Sequence, residues 1–558
     1  MSPLASRKER PWWRDAVTYQ IYPRSYADSN GDGIGDVEGI RSRLPYLKQL
    51  GIDAIWISPW YPSPQHDHGY DVSDYMDIEP DYGTLAQAET LIKEANDLGI
   101  KLIVDIVPNH TSSDHKWFQA ALKAGPGSPE RDRYMFRDGK GPNGDLPPNN
   151  WEAVFGGCAW ERVIEADGKP GQWYLHLFAV EQPDLNWENP EVVAHLEDVL
   201  KFWLDRGVAG FRIDVAHGMF KEAGLPDIRK DPAASMLGTE HKPFWDQEGV
   251  HDIYRSWRKI LDSYPGDRMA VAEAWVSPSE RIARYVRSDE LQNSFNFEML
   301  TTLWDAKEIK TKINNSIDAL EEVGAPTSWV FNNHDVVRSV DRLDLGLTNH
   351  GDTTLSRQGD PKKLNIARGT LRARSAALMT LALPGGTYLY QGEELAVPEV
   401  RDIPEDRLTD PRWKMSGFSD RGRDGCRVPM PWTSNPAGAF GFSTNVALKP
   451  EQAWLPQSPW WGTYAVDTQD GVEGSTLSMY RKALAIRKGE EGLGDGPMEW
   501  IEAGKDVVAF ERPGDFACYI NFGAPIELPS NSQVLVSSGP ITGHTLPTDT
   551  AAWVRLVS

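Results

Sequence analysis

Four short segments carry the residues whose types and spacing could do chemistry. Asp105, Asn109 and His110 close one apolar run; Arg212 and Asp214 close a second, Glu273 a third, and His334 with Asp335 a fourth. One acidic residue at a strand end commonly caps the next helix or pairs with an arginine; four such clusters are hard to explain as capping. Brought together they supply paired carboxylates, as glycoside hydrolysis needs. Its transition state is cation-like at the anomeric carbon. One carboxylate attacks or stabilises that carbon, and a protonated one gives a proton to the leaving oxygen. The two need opposite protonation states near neutral pH. Arg212 precedes Asp214 by two residues, so both point to one side of a strand. It would favour an ionised Asp214. Glu273 would be kept protonated by charged Asp214 and Asp335. Asp335 and His334 would hold sugar hydroxyls and stabilise the distorted ring.

Near-continuous apolar runs separated by helical patterns must position these residues. Runs at 16–22, 54–58, 101–107, 210–214, 270–274, 329–332 and 387–390 read as strands. Segments 37–50, 85–98, 191–205, 368–383 and 475–488 have helical apolar spacing. Such alternation indicates a buried parallel sheet. About eight βα units fit across 12–488, which is the count of a (β/α)8 TIM barrel, an α/β fold whose active sites sit at the C-terminal strand ends. An open doubly wound sheet is the alternative, but no GxGxxG follows the first run. The expected division is a barrel over 12–111 and 173–490, a loop-rich inserted domain over 112–172, an irregular insertion over about 395–460, and an all-β C-terminal domain over 491–558.

Composition narrows the function. The chain has 558 residues and a net charge of −23, against the basic footprint of a nucleic-acid binder and against docking on anionic membrane. No run approaches the roughly 20 apolar residues of a membrane span. Cys158, Cys426 and Cys518 are odd in number and form no CxxC, so a reducing, cytoplasmic setting is expected. The N-terminal charges have no apolar run behind them, unlike a signal peptide. The 22 Trp and 18 Tyr suit sugar faces but also pack cores.

In order along the chain, Asp105-Ile-Val-Pro-Asn-His110, Gln182-Pro-Asp-Leu-Asn-Trp187, Gly210-Phe-Arg-Ile-Asp214, Glu273-Ala-Trp275 and Phe331-Asn-Asn-His-Asp335 resemble the segments of the α-amylase family, glycoside hydrolase family 13, and within it the oligo-α-glucosidases. The resemblance runs from Trp12 to about residue 490. It implies retaining chemistry with Asp214 as nucleophile, Glu273 as general acid/base and Asp335 as transition-state stabiliser. Arg212, His110 and His334 would bind the reactive glucose. In Asp67-His-Gly-Tyr70-Asp71 it implies that Asp67 holds the outer hydroxyls of the terminal glucose and Tyr70 stacks on it, although His68 stands where the family has Asn. Arg423-Asp-Gly-Cys-Arg-Val-Pro-Met-Pro-Trp432 resembles the family's Arg-Asp-x-x-Arg-Thr-Pro-Met-Gln-Trp, departing at Cys426, Val428 and Pro431. It implies that Arg423 pairs with Asp67. Phe155 and Phe178 resemble aromatic pocket walls, with packing inside the inserted domain as the alternative. His66 and His68 have no convincing further ligand, so no zinc site is expected.

Asp28-Ser-Asn-Gly-Asp-Gly-Ile-Gly-Asp36 places oxygen donors at alternate residues: Asp28, Asn30, Asp32, the Ile34 carbonyl and Asp36. Hard donors at that spacing suit a structural Ca²⁺ or Mg²⁺. The loop is like half an EF-hand, but Gly39 replaces the bidentate Glu and a strand precedes it. The alternative is a glycine-rich turn with no ion, and no organic cofactor is expected.

The Asp67–Arg423 pair and the two insertions favour exo action on short α-glucosides over endo action on starch. In related glucosidases Val after the nucleophile leans towards α-1,6 linkages, and here it is Val215. The form Asp214-Val-Ala-His217 is more similar to actinobacterial-type enzymes that take maltose. The expectation is maltose and short oligosaccharides, with isomaltose close behind, and a monomer or homodimer. An α-1,6-specific glucosidase is an alternative, as is a transglucosylase or isomerase of trehalose, sucrose or maltose. A non-catalytic transporter subunit would need a membrane span. A glucan-binding C-terminal domain would need a tryptophan cluster, and Trp500 and Trp553 stand alone there.

Overall fold

The eight strands β1 (Val17–Ile21), β2 (Ala54–Ile57), β3 (Lys101–Ile106), β4 (Gly210–Ile213), β5 (Met269–Ala272), β6 (Asn293–Asn296), β7 (Ser328–Val330) and β8 (Gly386–Tyr390) close a parallel barrel in chain order, β8 returning to β1. This computed structural model describes residues 9–228, 242–348 and 359–557. The strands are buried on both faces except at Lys101. That is why seven of them read as near-continuous apolar runs. The exception is β6, Asn-Ser-Phe-Asn, whose polarity hid it. Asn296 donates to Ser316 Oγ at 2.6 Å, on the helix Ala306–Glu321, and Asn293 to the Trp13 carbonyl at 3.3 Å, so both amide nitrogens find acceptors although the strand is buried.

The helices between strands follow local chemistry. Leu85–Asp97 starts on a capping box, Thr84 with Gln87. The helical pattern over 37–50 is two helices, Val37–Ser42 and Leu44–Leu50, broken at Arg43. Pro45 sits in the first turn of the second, where its missing N–H costs nothing; inside one continuous helix it would clash with the carbonyl four residues back.

The excursion after β3 holds the helix Lys116–Ala124 and an antiparallel sheet with Pro170–Leu175 between Phe136–Arg137 and Trp160–Ile164. Its apolar cluster includes Trp151, Phe155, Trp160 and Phe178 and continues into Val215, Phe244 and Trp245 behind β4, fastening the excursion over the barrel mouth. The excursion after β8 is built of short helical turns. It folds back onto the chain after β1, with Met430 N donating to the Ser25 carbonyl at 2.8 Å and Trp432 Nε1 to that of Tyr26 at 2.8 Å. The C-terminal antiparallel sheet runs Glu499–Trp500, Val507–Arg512, Phe516–Asn521, Thr550–Leu556, Ser532–Ser537. It docks on the helix Ile366–Ala382, where the fully buried Trp553 donates to the Leu378 carbonyl at 2.9 Å. Among the described residues no helix is long and apolar enough to cross a membrane.

Candidate active site

The strand ends bring the acidic residues together on shared arginines. Arg212, 2% exposed, reaches Asp105 at 2.9 Å and Asp214 at 2.6 Å through one nitrogen and Glu273 at 2.7 Å through the other. Trp275 Nε1 donates to Glu273 Oε1 at 3.0 Å, and the Val215 amide to Oε2 at 3.0 Å. Asp214 and Glu273 are thus held side by side on the one guanidinium. Burial pushes the Asp214 carboxyl well above its ordinary range; Arg212 opposes this, and Glu273 and Asp105 add to it. Burial likewise lifts Asp105 to about 7 against the pull of Arg212. Arg212 does favour the ionised form of Asp214, as the sequence suggests, but it is not the larger influence. One guanidinium is divided among three carboxylates, and desolvation outweighs its share.

Asp335 sits in the opposite electrostatic setting. Its Oδ1 accepts from Arg423 at 3.1 Å and Arg427 at 3.0 Å, and its Oδ2 lies 3.2 Å from His334 Nε2. Burial resists the charge, but His334, Arg423, Arg427 and Arg212 outweigh it and hold the carboxyl below the usual range. His334 is buried, which pushes its pKa well down. Its Nδ1 accepts from Gln20 at 2.7 Å, so Nε2 carries the proton, 2.6 Å from Tyr70 OH. The Tyr70 and His334 rings stack at 5.2 Å.

Asp67 meets Arg423 at 2.7 Å, and Gln182 donates to its other oxygen at 3.2 Å. His110 lies between Gln182 at 3.0 Å and the Tyr70 carbonyl at 3.2 Å, and burial lowers it to about 4. Phe155 and Phe178 are 5.7 Å apart. Arg423 lies over Phe155 at 5.2 Å, and Phe178 is 5.1 Å from His110. Both phenylalanines belong to the insertion's apolar cluster and also border the site. All of the expected catalytic and sugar-binding residues thus fall in one connected region.

Several residues of this region were not singled out. Arg427 lies inside the Arg423–Trp432 segment, and Gln182 opens another quoted segment, so each had a signal. Asp410, which grips Arg423 at 2.6 Å, had none. Lys221 is also new. Its side chain is 2% exposed, and its ammonium meets Asp184 at 2.8 Å, Asn109 Oδ1 at 2.9 Å and the Gly218 carbonyl. It ties the end of β3, the insertion and the turn after Asp214 into one frame. Val215 opens that turn with φ +42, a strained value for a β-branched residue.

In the loop over 28–36, Asp28 accepts from the Gly31 and Gly33 amides at 2.7 and 2.8 Å, and Asp36 from Ser29 and Gly39 at 2.7 and 2.6 Å. Burial and, less strongly, Asp28 and Asp36 push the Asp32 carboxyl up. Among the described residues no group of three or more His, Cys, Asp or Glu side chains is arranged to hold a metal ion. The loop's donor set, three mutually repelling carboxylates with Asn30 and a carbonyl, nonetheless has the chemistry a hard cation takes.

A barrel whose strand ends gather carboxylates on shared arginines defines a carbohydrate-cleaving enzyme of the glycoside hydrolase class. The chain belongs to the α-amylase family: residues 20–496 match the model described as alpha amylase, catalytic domain. It is 37% identical over 554 residues to a probable alpha-glucosidase of Rhizobium meliloti (strain 1021), covering 96% of this chain and 93% of that protein. It is 37% identical over 511 residues to an oligo-1,6-glucosidase of Parageobacillus thermoglucosidasius, covering 86% and 84%. Among solved structures it is similar to the alpha-glucosyl transfer enzyme XgtA, with a TM-score of 0.83 and 34% identity over 98% of this chain and all of that one.

Proposed function

We propose that the protein is a retaining, exo-acting α-glucosidase that releases glucose from the non-reducing end of maltose and short malto-oligosaccharides, with isomaltose as a second substrate. The observation that carries this reading is the Asp67–Arg423–Asp335 chain of ion pairs set against the Asp214–Arg212–Glu273 cluster. The first surrounds one terminal sugar, and the second attacks it.

The Asp214 carboxylate attacks the anomeric carbon while the bond to the leaving oxygen breaks, and the Glu273 proton passes to that oxygen. Glu273 then takes a proton from water, whose oxygen displaces Asp214 and frees glucose. A retaining pair stands about 5–5.5 Å apart. A bound sugar would lie between the two carboxyl groups that share Arg212. Asp335, Arg423 and Asp67 hold hydroxyls, Tyr70, His110, Arg212 and His334 enclose the ring, and Phe155 and Phe178 wall the pocket.

Glucosyl transfer to a sugar acceptor is the second reading, favoured by the likeness to XgtA. It uses the same covalent intermediate, so product analysis at high sugar separates the two. The first experiment is kcat/KM for glucose release from maltose and isomaltose side by side. No glucose from either substrate refutes the reading. A strong isomaltose preference makes the protein an oligo-1,6-glucosidase and upholds the Val215 rule.

The Asp28–Asp36 loop is proposed to hold a structural Ca²⁺ or Mg²⁺ through Asp28, Asn30, Asp32, the Ile34 carbonyl and Asp36. Such an ion would lock the loop after β1 and supply no chemistry to the reaction. The three free cysteines, with Cys158 exposed, support a reducing, cytoplasmic setting.

A further inference from the structure

Two adjacent residues of the loop after β2 each take one arginine of the later excursion. The loop is folded on Asp71, which accepts from Ser63 Oγ and from the amides of His66 and Asp67 at 2.9–3.0 Å. Asp67 grips Arg423, and His68 Nδ1 lies 2.8 Å from Arg427 Nη1. A left-handed φ of +50 at His68 accompanies this divergence of neighbouring side chains. Both arginines end on one atom, Asp335 Oδ1.

Arg427 is fully buried, and its other nitrogens are committed: Nη2 to Asp335 at 3.0 Å and Nε to the His334 carbonyl at 2.8 Å. Its Nη1 therefore meets a lone pair on His68. A guanidinium only donates, so Nδ1 carries no proton and the ring is the neutral Nε2–H form. Burial, with Arg427, Arg24 and Arg423 facing the ring against Asp410 alone, keeps it neutral. Trp454 packs on its edge at 5.6 Å and fixes its plane.

We propose that His68 is a positioning residue: its Nδ1 lone pair fixes the Arg427 guanidinium, which in turn orients the Asp335 carboxylate towards the sugar. This rests on the reading of Asp335 as transition-state stabiliser. It gives the His at the position where the family pattern has Asn a task that any neutral acceptor of suitable reach could perform.

The test compares His68→Gln with His68→Met, which have similar length and volume but differ in that only Gln offers a strong acceptor. Activity is read on p-nitrophenyl α-glucoside and maltose. A hydrogen bond to a charged group sets the expected loss in His68→Met at about 10–100-fold in kcat. KM should change by less than about 3-fold, because the interaction matters only as charge develops. His68→Gln should recover most of the rate. Equal rates in the two variants, or a KM rise at unchanged kcat, overturn the proposal. The ¹⁵N shifts of the His68 ring in the unmodified enzyme decide independently of either variant's folding: Nε2–H is expected, and Nδ1–H overturns the proposal. A wild type that cleaves no α-glucoside sinks the functional reading, whereas an active wild type with equal Gln and Met variants sinks this inference alone.

Discussion

Lys221→Met tests whether the site's frame depends on one buried cation. The lysine and its partner Asp184 have side chains 2% and 0% exposed and lie 2.8 Å apart. Asp184 keeps two other donors when the lysine is lost, Asn109 Nδ2 at 3.1 Å and the Leu177 amide at 2.9 Å, but it loses its countercharge. Stranding one member of a buried pair costs about 3–5 kcal/mol. An unfolding entropy of about 2.1 cal/mol/K per residue amounts to roughly 1.2 kcal/mol/K for the whole chain. If the chain unfolds as one unit, Tm falls by roughly 3–4 °C, read by differential scanning calorimetry. Replacing both charges with neutral groups removes the stranded anion, so Lys221→Met/Asp184→Asn should regain most of the loss, with a coupling above about 2 kcal/mol. A single variant within about 1 °C of wild type, or a double variant no better than the single, refutes the argument that the ammonium is the frame's countercharge.

Glu273→Gln should lower kcat on maltose by about 10²–10⁴-fold. The loss should be much smaller on an aryl glucoside whose leaving group needs no proton; equal losses on both count against Glu273 as the acid. Arg423→Ala removes the common partner of Asp67, Asp335 and Asp410, and kcat/KM for maltose should fall by at least about 100-fold, measured by glucose release. Burial lifts the Glu399 carboxyl to about 8, above its unfolded value near 4.3, so its contribution to stability is full below pH about 4 and is lost as pH rises to 8. Glu399→Gln, which still accepts from the Arg338 amide, should therefore gain more Tm over wild type at pH 9 than at pH 5. Chelation should release close to one ion per chain and lower Tm while leaving kcat of the surviving fold unchanged; unaltered ion content and Tm would remove the cation from the Asp28–Asp36 loop.

The parts of this protein that were legible in its sequence share a physical reason. A barrel strand is buried on both faces, so it writes itself as an apolar run, and the residue that ends the run points into the mouth. Asp214, Glu273 and Asp335 could be found that way without any contact map. Strand β6 escaped because its asparagines reach Ser316 on the helix Ala306–Glu321 and the Trp13 carbonyl, so its burial leaves no apolar trace. Lys221 escaped for the opposite reason. A lysine in a polar stretch reads as solvated surface, and only the approach of Asp184 and Asn109 makes it interior.

The same division separates the two halves of the site. Arg212, Asp214 and Glu273 come from neighbouring strands whose spacing is dictated by the sheet, so their meeting followed from the fold class alone. Asp335 is served by Arg423 and Arg427, which come from an irregular excursion with no period to read, and their approach depends on Asp410, Asp67 and His68. Desolvation pulls the halves apart electrostatically. It defeats one arginine divided over three carboxylates at Asp214 and is itself defeated by two arginines and His334 at Asp335. Charge is therefore disfavoured at Asp214 and held at Asp335, where the cation-like sugar needs it. That difference is set by how many guanidinium groups each carboxylate receives, which no single motif records.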